Sequence, residues 1–573
     1  MRVITGMVMG IDCTPHAIKL NTLAAMLAGA AVCLALPNTT AAQSTGGIRG
    51  VGAPTAPGGA TAIGTGADSD QRNGIFYGLR ASWLISNNLD LAPPSVTDRR
   101  HMLLELAPYV QARMDNARGT AFASYTLRMQ SRENQFDLNN TLLARGDFKV
   151  TDEIFRVSAN ASIFDTNVTP FGTASYDPGT QRTNSTQYRN FEVSPYLIGQ
   201  FDGNGTWNAR YRLRYTETGS LDPFGFAYPS STSQTATAFA RTDLSKRRFG
   251  ASVNGSAYET DYNNGVQYTG AEADVLAWWA LNSLNLRLGA GIGYAQNSRL
   301  KSADGESSGY GPSASVDWAP DTSTFIRGRW AQRYYGNNAE LSATHRASNW
   351  TFGLTYGKGI TDGIRSSFGS GNTGGLSAPG AGLFSSGTDL FGRSSATANN
   401  PVAEGLASRN LLFGGATTNL ASPSSLSFGS NAFGGLGLIN AAIVFYDTAT
   451  ATVGFLGARS AALASVFYNN RKSALTFSSG IYDDLEQRGA TLGASWRLDP
   501  VQSVGAALRY TRSSSDARAS SSDLTSLVAS WDWRITPRSS LSVGGRVQRQ
   551  TGTGTTVGYD EAAVFVSANH RFD

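Results

Sequence analysis

Arginine recurs at every second position of one short segment, at Arg210, Arg212 and Arg214 between Thr206 and Thr216. Successive side chains of an extended strand point to opposite faces, so these three guanidinium groups share one face. A guanidinium group is always charged and presents fork-shaped donors that match carboxylate and phosphate groups. The segment therefore predicts the binding or selection of anions.

Residue types that could catalyse a reaction are few. Beyond residue 42 there are three histidines, His101, His345 and His570, and none has a nucleophile motif beside it. The glycine string 289–293 lies in an alternating strand pattern, whereas a dinucleotide loop must open a helix. The acids at 483–484 would point to opposite faces of a strand and supply too few ligands for calcium. We predict no enzyme activity, no cofactor and no metal site.

The elements that position the arginines are predicted to be strands. From about residue 73, segments of about ten residues alternate apolar and polar side chains, which is the length and period of strands that cross a membrane. In Thr206–Thr216 the face opposite the arginines carries Trp207, Tyr211 and Tyr215. That face would be the core of a soluble sandwich or the lipid-facing surface of a barrel, and periodicity alone leaves both open.

Three features favour a barrel. A Trp close to a Pro-containing turn recurs at 315–320, 495–500 and 531–537, as expected for aromatic girdles at a membrane interface. Short turns contrast with long Gly/Ser/Thr-rich stretches at 165–187, 217–235 and 361–436. The last segment alternates and carries Phe572, a feature that barrel-assembly machinery reads. We predict an all-β fold, a single antiparallel transmembrane β-barrel of about 18–22 strands.

Bulk composition agrees with this prediction. The chain contains 64 glycines, 16% charged and 10% aromatic residues, and after residue 42 its longest apolar stretch is Val275–Leu281. A transmembrane helix needs roughly 18 or more apolar residues, so none is predicted there. The net charge of +5 comes from arginines spread along the chain with acids between them, which does not indicate nucleic-acid binding.

The first part of the chain indicates export. Residues 1–42 resemble a signal peptide, with an apolar core at Leu23–Leu36 and a small-residue exit before Gln43. Both cysteines, Cys13 and Cys33, lie inside it. Residues 43–72 are rich in Gly, Ala, Thr and Pro and predict a flexible periplasmic linker. The barrel is expected over 73–573, in the outer membrane of a Gram-negative cell.

The long stretch at 361–436 leaves alternatives open. It is either a loop outside the barrel or a loop folded into the lumen that plugs the pore. The apolar patch Leu436–Phe445 is either a further strand or a lumen constriction.

If the apolar faces meet lipid, the polar residues that alternate with them line the lumen. The predicted lumen-lining residues are Arg156, Arg210, Arg212, Arg214, Arg287, Arg327, Arg329, Arg333, Arg497, Arg509, Arg546 and Arg571. Acids at Glu272, Asp274, Asp317 and Asp532 share this wall, so part of the set is expected to form cross-strand ion pairs. Either all the arginines are paired and selectivity is negligible, or unpaired ones select anions.

From about Tyr109 onward the chain resembles the outer-membrane barrel family associated with the PEP-CTERM system, found with exosortase and exopolysaccharide biosynthesis. The resemblance is carried by Thr169-Pro170-Phe171-Gly172, by the segment 188–196, by the strand at 211–215 and by the Trp-turn-Pro hairpins. It implies an outer-membrane component of exopolysaccharide secretion and brings no catalytic residues.

The function expected from the sequence is a porin-like channel that exports an anionic exopolysaccharide. A structural or adhesive barrel with a closed lumen and a general diffusion porin are the alternatives. The expected partners are outer-membrane lipid, the barrel-assembly machinery through the last strand, polysaccharide-export components and polysaccharide, but not nucleic acid.

Overall fold

A computed structural model describes the chain from Gly74 to Phe572, together with two short pieces before it. Several connections are not described, the longest being 94–100, 174–183, 219–229, 363–442 and 474–483. The predicted signal peptide, most of the linker, and nearly all of the stretch at 361–436 therefore lie outside the described residues.

The described chain is built almost entirely of strands. The short pieces β1 (Ile63–Gly64) and β2 (Ala67–Asp68) pair with each other. The remaining strands are β3 (Gly74–Ser86), β4 (His101–Asn116), β5 (Gly119–Arg132), β6 (Gln135–Lys149), β7 (Phe155–Asn167), β8 (Ser185–Gln200), β9 (Gly205–Thr218), β10 (Ser231–Thr242), β11 (Phe249–Tyr262), β12 (Gln267–Leu281), β13 (Leu286–Asn297), β14 (Ser308–Trp318), β15 (Thr324–Arg333), β16 (Gly336–Ala347), β17 (Trp350–Asp362), β18 (Ile443–Leu456), β19 (Ser460–Ser473), β20 (Leu485–Arg497), β21 (Gln502–Ser515), β22 (Ser520–Thr536), β23 (Ser539–Thr553) and β24 (Tyr559–Arg571). One 3-10 turn, Asn282–Leu284, lies between β12 and β13.

Strands β3 to β24 form one closed antiparallel barrel, in which each strand pairs with its neighbours in sequence. The seam closes where β24 pairs with β3, from Ala563 opposite Ser86 to Arg571 opposite Gly78. The Ser82 and Ser567 hydroxyls form a hydrogen bond of 3.0 Å across it. The predicted fold class is confirmed, with a strand number inside the expected range. No helix among the described residues is long and apolar enough to cross a membrane.

The two ends of the barrel differ in the length of their connections. At the end where β3 begins and β24 finishes, which we call the turn end, every connection is short, as at 117–118, 348–349, 498–501 and 537–538. At the opposite end, which we call the loop end, lie the connections 87–100, 168–184, 219–230 and 363–442. The predicted short turns thus lie at one rim of the barrel, and the predicted long loops lie at the opposite rim.

The outer surface is an apolar belt with aromatic rims. In β9 the side chains of Tyr211, Leu213 and Tyr215 are exposed outward, and the interleaved arginines face inward. Six of the eight exposed tryptophans lie toward the turn end, and Trp83 and Trp330 lie nearer the loop end. The six are Trp279, Trp318, Trp350, Trp496, Trp531 and Trp533. Such a belt with aromatic girdles is the surface that a bilayer covers.

The inner face does not follow the alternation everywhere. In β24, Tyr559 and Phe565 point inward and are almost fully buried, although the strand also carries apolar residues outward. Phe565 joins Leu84 and Leu103 in an apolar patch on the inner wall. The expectation that aromatic and aliphatic side chains face lipid is therefore wrong at these positions, because part of the lumen is filled by protein that needs an apolar partner.

Asp321 stabilises the turn between β14 and β15. Its carboxylate accepts hydrogen bonds of 2.6 Å from the backbone N–H groups of Ser323 and Thr324, and their hydroxyls donate at 2.6 and 2.9 Å. These donors, those of Ser323 first, favour the ionised form and lower the pKa of Asp321 from 3.8 to about 2.

We expect the Asp321 carboxyl to titrate at pH about 2 in a carboxyl carbon NMR titration of the folded barrel in micelles. Since the folded pKa is depressed, the stabilisation of the turn is present above the ordinary pKa and is lost as the pH falls toward 2. Replacing Ser323 by Ala and Thr324 by Val should raise the pKa toward its ordinary value. Titration of the parent chain near 3.8 would show that the turn lacks these bonds.

Candidate lumen site

All twelve predicted arginines lie on the inward-facing side of their strands. Most of them lie opposite polar side chains of the same wall, as with Arg156 opposite Tyr196 and Arg509 opposite Ser526, whereas Arg546 lies between Val528 and Ala563. The ion pairs that join arginines of this set to acids of the wall include those of Arg212, Arg214, Arg327, Arg329, Arg333 and Arg546.

Glu192 on β8 holds two arginines of β9. Its two carboxylate oxygens lie 3.1 Å from Arg212 Nε and 2.5 Å from Arg214 Nη2. The strand register explains this, because Glu192 lies directly opposite Arg214. One carboxylate thus compensates much of the charge that the sequence places on this part of the wall.

A second group joins β12 to β15. Asp274 binds Arg333 at 2.7 Å and also pairs with Arg329, while Tyr335 donates a hydrogen bond of 3.0 Å to Glu272. Asp274 and Arg333 are each only about 1% exposed, so water cannot replace either partner. Tyr335 lies at the loop end, between β15 and β16, and its hydroxyl is occupied by this bond.

Gly293 makes room for this second group. A Cβ atom at Gly293 would clash with Arg333 Nη1 and Asp274 Oδ1. The glycine belongs to the string 289–293 in β13, whose glycines face the lumen. Because residue 293 has no side chain, Asp274 and Arg333 can form their ion pair directly above β13.

The arginines outside these pairs fall into two kinds. Arg156 and Arg210 flank Tyr196, which is described next. Of the other four, Arg287 is 5% exposed and lies opposite Asp317, and Arg497 lies at the turn end of β20. Arg509 faces inward on β21. The Arg571 guanidinium lies 5.4 Å from the centroid of the Phe76 ring. Asp532, an expected partner of arginine, accepts hydrogen bonds from Ser530 and Ser542.

Tyr196 on β8 organises a group toward the turn end. The Arg210 guanidinium lies over its ring at 4.4 Å from the centroid, and Arg156 is its direct neighbour on β7. The Tyr196 hydroxyl donates a hydrogen bond of 2.7 Å to Asp147. Among the described residues neither Arg156 nor Arg210 forms an ion pair. This part of the wall therefore keeps positive charge beside an aromatic ring.

Two features of the lumen were not predicted from the sequence. The first is a buried network in which Arg128 donates two hydrogen bonds, of 2.9 and 2.6 Å, to Glu105, and Gln130 donates one of 2.7 Å. A sequence signal for this network was present in the alternation of β4. Glu105 falls on the face that carries most of the polar residues of this strand, although its neighbours in sequence are apolar.

The second feature is an inward loop at 87–92, which we call the inner loop. Leu89 packs on the patch of Leu84 and Phe565, and Leu91 packs on Leu524 and Tyr559. Asn88 Nδ2 donates to the backbone oxygens of Ala92 and Asp560 at 2.9 Å each. Arg132 binds Asp90 at 2.8 Å. Leucines at alternate positions of a connection were the only sequence signal.

A second segment also folds inward at the loop end. The backbone oxygen of Gly172 accepts a hydrogen bond of 2.8 Å from Gln550 Nε2, and that of Phe171 accepts one of 3.2 Å from Val557 N. Phe171 is 4% exposed. This segment lies in the Thr169–Gly172 motif that carries the family resemblance, and it narrows the lumen together with the inner loop.

The histidines do not form a catalytic group. Rings of His345 and His570 lie on the exposed surface, where their Nδ1 atoms contact Thr324 Oγ1 at 2.8 Å and Ser539 Oγ at 2.9 Å. No carboxylate bonds to either ring within the described part of the chain. No group of acids, histidines or cysteines suited to a metal ion occurs among those residues either.

Comparison with known proteins gives only distant structural matches. No family model and no curated protein matches the chain. Similar solved structures include the siderophore receptor PirA from Pseudomonas aeruginosa, at 12% identity over 86% of this chain and 80% of that chain, with a TM-score of 0.38. The FrpB iron transporter from Neisseria meningitidis (F3-3 variant) gives 10% identity over 88% and 82%, with a TM-score of 0.45. At these values the similarity identifies neither a family nor a ligand.

We expect Glu105→Gln to destabilise the barrel by about 3 kcal/mol, because Arg128 would lose the charged acceptor of two hydrogen bonds at a buried site. The measurement is urea unfolding of the folded barrel, followed by tryptophan fluorescence. The double variant Glu105→Gln/Arg128→Met removes both charges and should recover most of the loss. Equal stability of the single variant and the parent chain would show that water reaches this site.

Proposed function

We propose that the chain is an outer-membrane channel that exports an anionic exopolysaccharide. The observation that carries this proposal is the Tyr196 group, in which Arg156 and Arg210 retain positive charge on the inner wall. Support for the membrane comes from the closed barrel and its apolar belt, since only closed barrels and helices satisfy every backbone group in hydrocarbon.

The two rims indicate the orientation of the barrel in the membrane. In outer-membrane barrels, short turns face the periplasm and long loops face outward. The turn end would then be periplasmic, which places the Tyr196 group near the entrance for exported cargo. A guanidinium group fits carboxylate or phosphate substituents of a polysaccharide.

The resemblance to the PEP-CTERM-associated barrels supports the choice of polysaccharide as cargo. Export components in the periplasm would then be the partners at the turn end. A general diffusion porin would use the same lumen without preference for a polymer.

A second candidate is a structural or adhesive barrel with a closed lumen. The specific observation in its favour is protein inside the loop end, where the inner loop and Phe171 pack on the walls of β22 to β24. Planar-bilayer recording separates the two candidates, since a closed barrel shows no steady channel openings.

We expect reconstituted channels of the parent chain to favour anions, and Arg210→Glu to reduce the anion-to-cation permeability ratio roughly tenfold at low salt. Reversal of one charge at about 10 Å from the ion path in water raises the energy of an anion and lowers that of a cation by about 0.8 kcal/mol each. The double variant Arg546→Gln/Glu561→Gln serves as the control, because it removes both partners of an ion pair of 2.8 Å and leaves the net charge of the wall unchanged. An unchanged ratio in Arg210→Glu would contradict the selective wall.

Weakening the inner loop should widen the channel. The double variant Leu89→Ser/Leu91→Ser removes the apolar anchors of this loop, so the single-channel conductance should rise above that of the parent chain. Ala92→Ser in the same loop is the control and should leave the conductance unchanged. If the double variant conducts like the parent, the inner loop does not limit the path.

A further inference from the structure

Two arginines face each other on the outside of the barrel near the loop end. Arg488 on β20 and Arg512 on β21 are direct partners in the strand register, and both are exposed on the outward face. The Cβ atoms of such partners are about 5 Å apart, and like charges in this position destabilise a strand pair. The chain thus places two positive charges where each makes the other less favourable.

Two acids lie near this pair without bonding to it. Asp523 lies opposite Arg512 and keeps its charge, but its carboxylate is turned to the Tyr510 hydroxyl, from which it accepts a hydrogen bond of 2.6 Å. Glu486 lies two residues from Arg488 on the same strand face. Among the described residues, neither Arg488 nor Arg512 forms an ion pair with any acid. Their guanidinium donors can therefore bind an anion supplied from outside the chain.

Their height on the barrel indicates which anion. Arg512 lies two residues beyond Tyr510, an exposed tyrosine, on the same face of β21. Leu508, two residues before Tyr510, is exposed and belongs to the apolar belt. Aromatic side chains lie at the level of lipid headgroups, so the arginines would lie where headgroup phosphates are found.

An apolar groove lies beside this position on the outer surface. It has a volume of about 690 Å³, and its floor is made by the small residues Ala529, Gly545 and Ala562. Leu527, on the groove wall, is the direct partner of Leu508, so the groove continues the belt below Arg512. Arg549 lies just above the groove, paired with Asp560 at 3.4 Å. A chain of methylene groups fits this groove better than a polar partner does.

We propose that this outer surface of β20 to β24 binds a phosphorylated, acylated glycolipid of the outer leaflet. Its phosphate lies between Arg488 and Arg512, and an acyl chain lies in the groove of Ala529, Gly545 and Ala562. This inference rests on the proposed location in the outer membrane, with the loop end facing outward. It does not depend on what passes through the lumen.

The test is native mass spectrometry of the purified full chain in detergent, with bisphosphorylated lipid A and dephosphorylated lipid A as the two probes. The parent chain should prefer the phosphorylated lipid by roughly tenfold, as expected for charge-assisted contacts to one phosphate. Arg488→Gln/Arg512→Gln should abolish the preference. Arg459→Gln/Arg538→Gln removes the same charge at the turn end and should keep it.

A groove variant tests the second half of the proposal. Ala562→Phe fills the groove and should weaken retention of both lipids while the preference for phosphate remains. A lipid-free dimer that Ala562→Phe disrupts would show instead that a second copy covers the groove, and would overturn the proposal.

Three other outcomes would overturn it as well. They are equal retention of both lipids by the parent chain, loss of the preference in the turn-end control, and complete displacement of lipid A by inorganic phosphate. Membrane fractionation keeps this failure distinct from failure of the proposed function. A chain found in the outer membrane without lipid preference defeats only the lipid site, whereas a chain absent from that membrane defeats the proposed function.

Discussion

Closure of the sheet is the constraint on which the rest of this structure depends. Hydrocarbon offers no partners to backbone N–H and C=O groups, so a strand at an open edge would leave a row of them unsatisfied. The pairing of β24 with β3 removes that edge. Once the sheet is closed, every strand has one face toward lipid and one toward the lumen. The alternation of side chains then determines the chemistry of both surfaces.

The inner wall shows how a barrel can carry many arginines with little excess charge. Glu192, Asp274 and Glu561 each bind arginines of a neighbouring or nearby strand, and most of these groups are shielded from water. Such pairs fix the wall, because removing one partner leaves a charge without compensation. At Tyr196, by contrast, an aromatic ring lies against the guanidinium group of Arg210, and no ion pair with an acid is described for this arginine.

Alternation made the barrel and its inward arginines predictable from sequence, because a period of two translates directly into faces. The segment Thr206–Thr216 was assigned correctly on both faces for this reason. Pairing was less accessible, since the contact of Glu192 with Arg212 and Arg214 depends on strand register, which a single sequence does not define. The docking of the inner loop and the inward orientation of the Phe565 side chain could not be derived from the sequence, because both depend on contacts between distant parts of the chain.

The inner loop bridges the seam of the barrel. It follows the first barrel strand, yet Asn88 donates to Asp560 of the last strand, and Leu91 contacts Leu524 and Tyr559 near the chain's end. These contacts can form only after β24 has come to lie beside β3. The inner loop therefore narrows the lumen only after the barrel has closed, and a barrel that has not yet closed lacks this obstruction. Docking of the loop is the last step of assembly and occurs only in a completed barrel.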